Sequence, residues 1–489
     1  MPHNVLDLGF RKRIIEEIES DENKRRKAEH QKRSDVYKKK QRKYVLDMLV
    51  KEFSASTVED MRTCTSINLV KRIVNEQASI YKTEPKRELA GISEQQKAQL
   101  DALYSLCGVN KKLKSLNQKY KLHDQAFLQV IPKLGSIKLR TLAPHQIDVV
   151  PSQEDPEHGE IFIVSGYDKA NIVAEMDDLE DIQGQGYGSK NQQQSDGVNE
   201  AIADQDDWKQ KSKLYAWWTD EYNFLTNSSG EILPGQPTIE NPIKMLPFIE
   251  ASGEKDQEFW CDGGSGVVEF NLDFGVVLSD TCNTNRLQSY AQAVISAEKL
   301  PENITVGPNN ILLLQLDPTR PEMKPTFEFV SPNPNMDASL DLQDRLVSYF
   351  LTSEGIDPKT ISGKAEGEKY TSGLERLLAM IERFEASHDD YDLFRGVEAK
   401  LYKLLSAWSN AMQGTDAIDP ALNGGELPVD AQMSTQFCKP ELIKTATEAE
   451  DSVIKRMEAG LISKKEAIME LRGVDEERAL EIINELDEQ

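Results

Sequence analysis

At 489 residues the chain has room for two to four domains, each with a substantial core. A formal net charge of −25 opposes nucleic-acid binding by the surface as a whole, because that affinity comes from cations displacing counterions from phosphate. Mean hydropathy is −0.55, and no apolar run approaches the ~20 residues of a bilayer span, which excludes a membrane-spanning helix. Five dispersed cysteines (Cys64, Cys107, Cys261, Cys282, Cys438) with no CxxC pair read as free thiols in a reducing compartment. The opening MPHNVLDLGFRKRIIEEIE has no basic-then-apolar signal pattern.

Residues 10–60 read as helix with a charged exterior. Their basic part, 11–43, contrasts with acidic stretches at 154–207 and 448–488. It reads as a solvated face with i,i+4 ion pairs, or as a contact with an acidic partner. Ile67, Val70, Ile73, Val74, Gln77 and Tyr81 recur at helical spacing up to Pro85. Helices over 93–107 and 111–123 turn Leu100, Leu103, Leu106, Leu113 and Leu116 inward. Short β-branched segments at 126–131, 136–142 and 146–150 predict strands, and 161–164 and 214–219 continue that sheet. Between the last two, 184–207 is polar, Gly/Gln-rich and acidic, and reads as a mobile surface insertion. A hairpin-like piece over 222–232 turns at Asn227-Ser228-Ser229-Gly230, and 245–250 is one more strand.

The stretch 263–412 is the most distinctive. A helix over 267–297, ~45 Å long at 1.5 Å per residue, has Phe270, Phe274, Val277, Leu278 and Thr281 on one face. Its second half is small and polar and needs cover from neighbours or water. Prolines bracket a β excursion over 301–334, with strands at 311–316 and 326–330, too small to stand without neighbouring subunits. A returning helix over 337–354, capped by Asp337, carries Leu340, Val347, Phe350 and Leu351. The Gly-rich loop 355–373 lacks the P-loop pattern around Gly363-Lys364, since Pro358 and Ala365 stand where Gly and Ser/Thr are needed. It presents Lys359, Lys364 and Lys369, suited to weak contact with a phosphate backbone or to balancing nearby carboxylates.

Next comes the longest helix, opened by Ser372 with Glu375 as a capping box, with a core row that includes Leu377, Ile381, Phe384, Leu401 and Trp408 and a bend at Gly396. A strand near 431–437 and small C-terminal helices follow, one of them capped by Ser463 and Glu466 after Gly460. No catalytic pattern emerges. His3, His30, His123, His145, His158 and His388 stand apart without metal-ligand spacing, no GxSxG elbow is present, and neither a metal nor a cofactor is implied. The expectation is a non-enzymatic assembly protein.

The order of these parts resembles the portal proteins of tailed double-stranded DNA bacteriophages. The resemblance rests on NLVKRIVNEQASIYKTEP (68–85), NPIKMLPFIEA (241–251), the helix–β–helix unit, YTSGLERLLAMIE (370–382) and FCKPELIKTATEAEDSVIKRMEAGLISKKEAIMEL (437–471), taken in that order. It implies an α+β portal-type fold with a wing over 1–262, stem helices over 263–298 and 337–354, and a clip over 299–336. A tunnel loop over 355–371, a long wing helix and strand over 372–444, and a helical crown over 445–489 complete it. It further implies a homo-oligomeric ring of about twelve subunits. That ring stands at a capsid vertex of the virion, after assembly in the host bacterial cytoplasm. Its implied partners are the terminase large subunit, a head–tail adaptor, the major capsid and scaffold proteins, and double-stranded DNA passing without sequence specificity; no membrane is involved. The alternatives are another structural virion protein, such as a head–tail adaptor or minor capsid protein, or a packaging ATPase, which the broken P-loop disfavours.

Overall fold

Segments rich in β-branched and aromatic residues pair into two antiparallel sheets that organise the first half of the chain. The computed structural model describes residues 4–53, 58–59, 63, 66–133, 136–166, 213–233, 239–261, 263–264, 266–288, 292–296, 326–330, 336–358, 373–413, 425–437, 453–460, 462–472, 478–480 and 482–483. The insertion at 184–207, the strand expected at 311–316 and the loop lysines Lys359, Lys364 and Lys369 lie outside the described residues.

Three helices open the chain, α1 (Leu8–Ile18), α2 (Asp21–Tyr37) and α3 (Arg42–Glu52). Asp7 and Ser20 cap the first two by accepting from backbone N–H groups three residues on. α4 (Val70–Gln77) breaks at Ala78 instead of running on to Pro85; a short 3-10 turn then aims the Tyr81 hydroxyl at Glu398, so tertiary contact overrides helical spacing. β1 (Lys86–Leu89) follows. α5 (Glu94–Cys107), with Ser93 and Gln96 forming a capping box, meets α6 (Val109–His123) at Gly108, whose φ of 60° suits glycine. Leu100, Leu103, Leu113 and Leu116 are buried, but Leu106 falls off the inner stripe and is exposed.

β2 (Gln125–Lys133) lies between β3 (Ser136–Leu142) and β9 (Phe248–Ser252). The expected continuous sheet divides here, because the buried Pro144 sits in a 3-10 turn that redirects the chain after β3. A second sheet results, in the order β4 (Ile147–Pro151), β5 (Gly159–Gly166), β6 (Leu214–Trp218), β7 (Tyr222–Thr226) and β8 (Ile239–Glu240). α1 covers its outer face through Phe10, Ile14, Ile15 and Ile18 against Ile161, Ile163, Tyr215, Trp217 and Phe224.

α7 (Gly266–Gln288) ends nine residues before the expected 297. The β-branched run that follows becomes β10 (Gln292–Ser296), paired antiparallel with β11 (Thr326–Val330). α8 (Met336–Ser353) returns along α7. α9 (Gly373–Met412) spans ~60 Å at 1.5 Å per residue and is helical through Gly396. Its Leu401 and Trp408 are fully buried, and the Trp408 indole donates to the Val130 carbonyl at 2.8 Å. The side chains of Leu377, Ile381 and Phe384 lie outside the described residues. β12 (Met433–Gln436) pairs with β1, and α10 (Lys464–Arg472) starts at the Ser463–Glu466 capping box.

The basic N-terminal stretch is a solvated face only in part: Lys12, Arg13, Lys24, Arg25, Lys38, Lys39, Lys40, Arg42 and Lys43 are exposed, while other residues of it pack inward. Arg26 lies 3.5 Å over the Trp260 ring, Lys27 bonds Asp148 at 2.6 Å, and His30, Arg33, Ser34 and Asp35 are buried. The histidines are not all isolated, because α2 crosses the end of α6. His30 Nδ1 lies 3.2 Å from His123 Nδ1, Ser34 Oγ lies 3.1 Å from His123 Nε2, and the His145 ring stands 6.0 Å from that of His123.

Candidate functional site

The helix pair α7–α8 rises from a junction assembled by the N-terminal helices. The chain enters α7 through Gly263 and Gly264. Gly264 has φ +82°, and a Cβ on Gly263 would overlap the Asp124 carboxylate, so both positions require glycine. Arg33 donates to the Gly263 carbonyl at 2.6 Å, and the Asn271 side chain accepts from Leu69 N–H at 2.8 Å, tying the helix base to α2 and the start of α4. Val267, Val268 and Leu272 then bury among Val36, Val45, Leu49, Val70, Ile73, Leu122, Leu351 and Ile356. This cluster sets the direction in which the pair leaves the body.

Phe270, Phe274, Val277 and Leu278 do not form one apolar seam. Phe270 stacks on Phe350 with centroids 3.9 Å apart and planes within 5°, and Phe274 stacks on Phe270 at 6.1 Å. Leu278 and Val347 are half-buried, whereas Val277 and Leu340 are exposed. What α7 buries in its second half is small and polar: Gly275, Ser279 and Asn283, one turn apart. Ser279 Oγ donates to the Gly275 carbonyl at 2.7 Å and Asn283 to the Ser279 carbonyl at 2.9 Å. The buried Gln343 of α8 reaches Thr281 Oγ1 at 2.6 Å. The small, polar half therefore finds part of its cover within the chain.

α8 is apolar on two sides. Val347, Phe350 and Leu351 face inward. Leu342, Leu346 and Tyr349, at spacing i, i+4, i+7, form an outward stripe with exposures of 56%, 41% and 70%. Sequence reading named the inward residues and missed this stripe, although its spacing was readable. The pair is also acidic, with Glu269, Asp273, Asp280, Asp337, Asp341 and Asp344 against Arg286 and Arg345. Burial, then Glu269, raises the Asp273 carboxyl; burial, then Glu52, raises that of Asp280. No group of three or more His, Cys, Asp or Glu able to hold a metal occurs among the described residues. No helix among them is long and apolar enough to cross a membrane.

No family model matches the chain, and no curated protein does. Among solved structures it is similar to a chain in the neck of an empty gene transfer agent particle computed with C6 symmetry. That likeness has TM-score 0.40 and 12% identity, over 83% of this chain and 89% of that one. It is also similar to a chain in the virion of a native gene transfer agent particle, with TM-score 0.36 and 13% identity over 83% and 88%. At such scores neither likeness carries an argument, and function is argued from geometry and sequence.

Proposed function

We propose that the chain is a non-enzymatic subunit of a portal-type ring, with α7 and α8 as its stem. The ring is the channel through which DNA enters and leaves a capsid, and the β10–β11 end is the docking point for terminase and the head–tail adaptor. One observation carries this reading: α8 is apolar on two sides, and among the described residues only one of them is covered. A helix built that way is made to be flanked twice. Burying a Leu or Tyr side chain stabilises by roughly 1.5–3 kcal/mol, so three such residues repeated around a ring supply a substantial association energy. The excess of carboxylates on the pair suits a wall along which DNA slides, because like charge keeps the backbone from adhering.

The test is native mass measurement of the purified chain and of the double variant Leu342→Glu, Leu346→Glu. The reading predicts a closed oligomer for the parent and monomers with an unchanged circular dichroism spectrum for the variant. An oligomer that survives both substitutions would place the subunit contact elsewhere and remove the support for the stem.

A further inference from the structure

Three segments of this acidic protein carry cations and no carboxylate. Residues 36–44 hold Lys38, Lys39, Lys40, Arg42 and Lys43; residues 109–123 hold Lys111, Lys112, Lys114, Lys119 and Lys121; residues 136–142 hold Lys138 and Arg140. The whole chain has 83 acidic residues against 58 basic ones, so this composition runs against the background.

The fold brings part of each segment together, around Lys38, Lys112, Lys119 and Arg140. Tyr37 donates its hydroxyl to Asn75 Oδ1 at 3.1 Å, and Gln118 donates to the same oxygen at 2.8 Å, which sets Lys38 beside Lys119. The Lys119 amine donates to the Thr141 carbonyl, and Ser115 Oγ meets Thr141 Oγ1 at 3.3 Å, which brings Arg140 alongside. Burial first, then the charges of Lys38, Arg140 and Lys112, hold the Lys119 amine down to about 8, so these cations sense one another. Carboxylates answer some of them: Asp35 bonds Lys43 at 2.9 Å and Asp390 bonds Lys121 at 2.7 Å. Lys38, Lys39, Lys40 and Arg42 are exposed and have no carboxylate partner among the described residues.

Gathered like charges raise the energy of the folded chain unless a polyanion answers them. A protein partner would want apolar anchors at the centre of its contact. Among the described residues, no exposed large hydrophobic lies in any of the three segments. We infer that this face is a docking surface for the phosphodiester backbone of double-stranded nucleic acid, read without sequence preference. The surface belongs to α2, α3, α6 and β3, and the inference does not require the ring.

The test is the salt dependence of binding of a short labelled DNA duplex of mixed sequence to the full chain. With five to six cations engaged, log K should fall against log salt with a slope of about −5. The triple variant Lys38→Gln, Lys40→Gln, Arg42→Gln should weaken binding more than about tenfold at low salt and flatten the slope by about 3. The variant Lys12→Gln, Lys24→Gln, Arg25→Gln removes equal charge from exposed positions elsewhere on α1 and α2 and should leave the slope unchanged. An RNA duplex run in parallel identifies the preferred source, because either helix supplies the backbone. Equal losses in the two triple variants, or no salt-dependent binding of either duplex, would overturn the inference. Polyglutamate or anionic vesicles binding the parent as tightly as the duplex would also overturn it. Because binding is read on the chain in any oligomeric state, each of these failures leaves the portal reading standing.

Discussion

Acidification to pH 5 should loosen α2 from the body, and His30 is the residue that shows it. The ring is buried, 3.2 Å from His123, with Arg33, Arg26 and His145 nearby. Burial, then those charges, depresses its pKa from 6.5 to about 3, and His123, wholly buried, is held well below its ordinary value in the same way. A histidine with a lowered folded pKa contributes stability that is fully present above its unfolded value of 6.5. That stability is lost as pH falls toward the folded value, because the unfolded chain takes up the proton first. From pH 8 to pH 5 the loss is about 1.5 units at 1.36 kcal/mol per unit, ~2 kcal/mol or roughly 30-fold for one histidine. Hydrogen exchange of peptides from residues 21–37, corrected for intrinsic rates, reads the opening of this helix directly. His30→Gln should remove one such factor, so the protection of the variant should fall ~30-fold less than that of the parent between these pH values. Carboxylates elsewhere titrate alike in both proteins and cancel. Parallel pH dependence in the two would refute the claim that the fold holds His30 neutral.

Other changes test the packing around α9 and at the entry to α7. Glu398 is wholly buried and accepts from Arg87 at 2.9 and 2.8 Å and from the Tyr81 hydroxyl at 3.1 Å. Arg87→Ala strands that carboxylate and should cost about 3–5 kcal/mol in denaturant titration, whereas the double change with Glu398→Gln should cost clearly less. Trp408→Ala opens a cavity under α9 and frees the Val130 carbonyl, for a loss of about 3–5 kcal/mol; Trp408→Phe, which mainly removes the hydrogen bond, should cost about 1–2. Gly264→Ala demands a left-handed alanine with its Cβ 3.0 Å from the Leu122 carbonyl. It should raise protease sensitivity at 262–266 while the β2–β3–β9 sheet keeps its exchange protection.

Local signals made much of the secondary structure legible. The helix read over 93–107 is α5, the β-branched segments at 126–131 and 136–142 are β2 and β3, and Ser463 with Glu466 marked the start of α10. What failed was non-local. The run QAVIS at 292–296 continues a helical pattern by itself and becomes a strand only because TFEFV at 326–330 comes to lie beside it. The division into two sheets depends on how Pro144 turns the chain, a choice that strand propensity does not encode. His30, His123 and His145 have no shared spacing and meet only through the crossing of α2 and α6. The outward stripe of α8 was visible as Leu342, Leu346 and Tyr349, yet which of its two apolar sides stays uncovered required the packing of α7.

The central claim, that this chain closes into a channel-bearing ring through its stem, meets its most direct test in electron microscopy of the purified full chain, mixed with capsid scaffold components and read for top views. The account predicts closed rings of about twelve subunits with a central hole. Monomers or open aggregates under those conditions would contradict it.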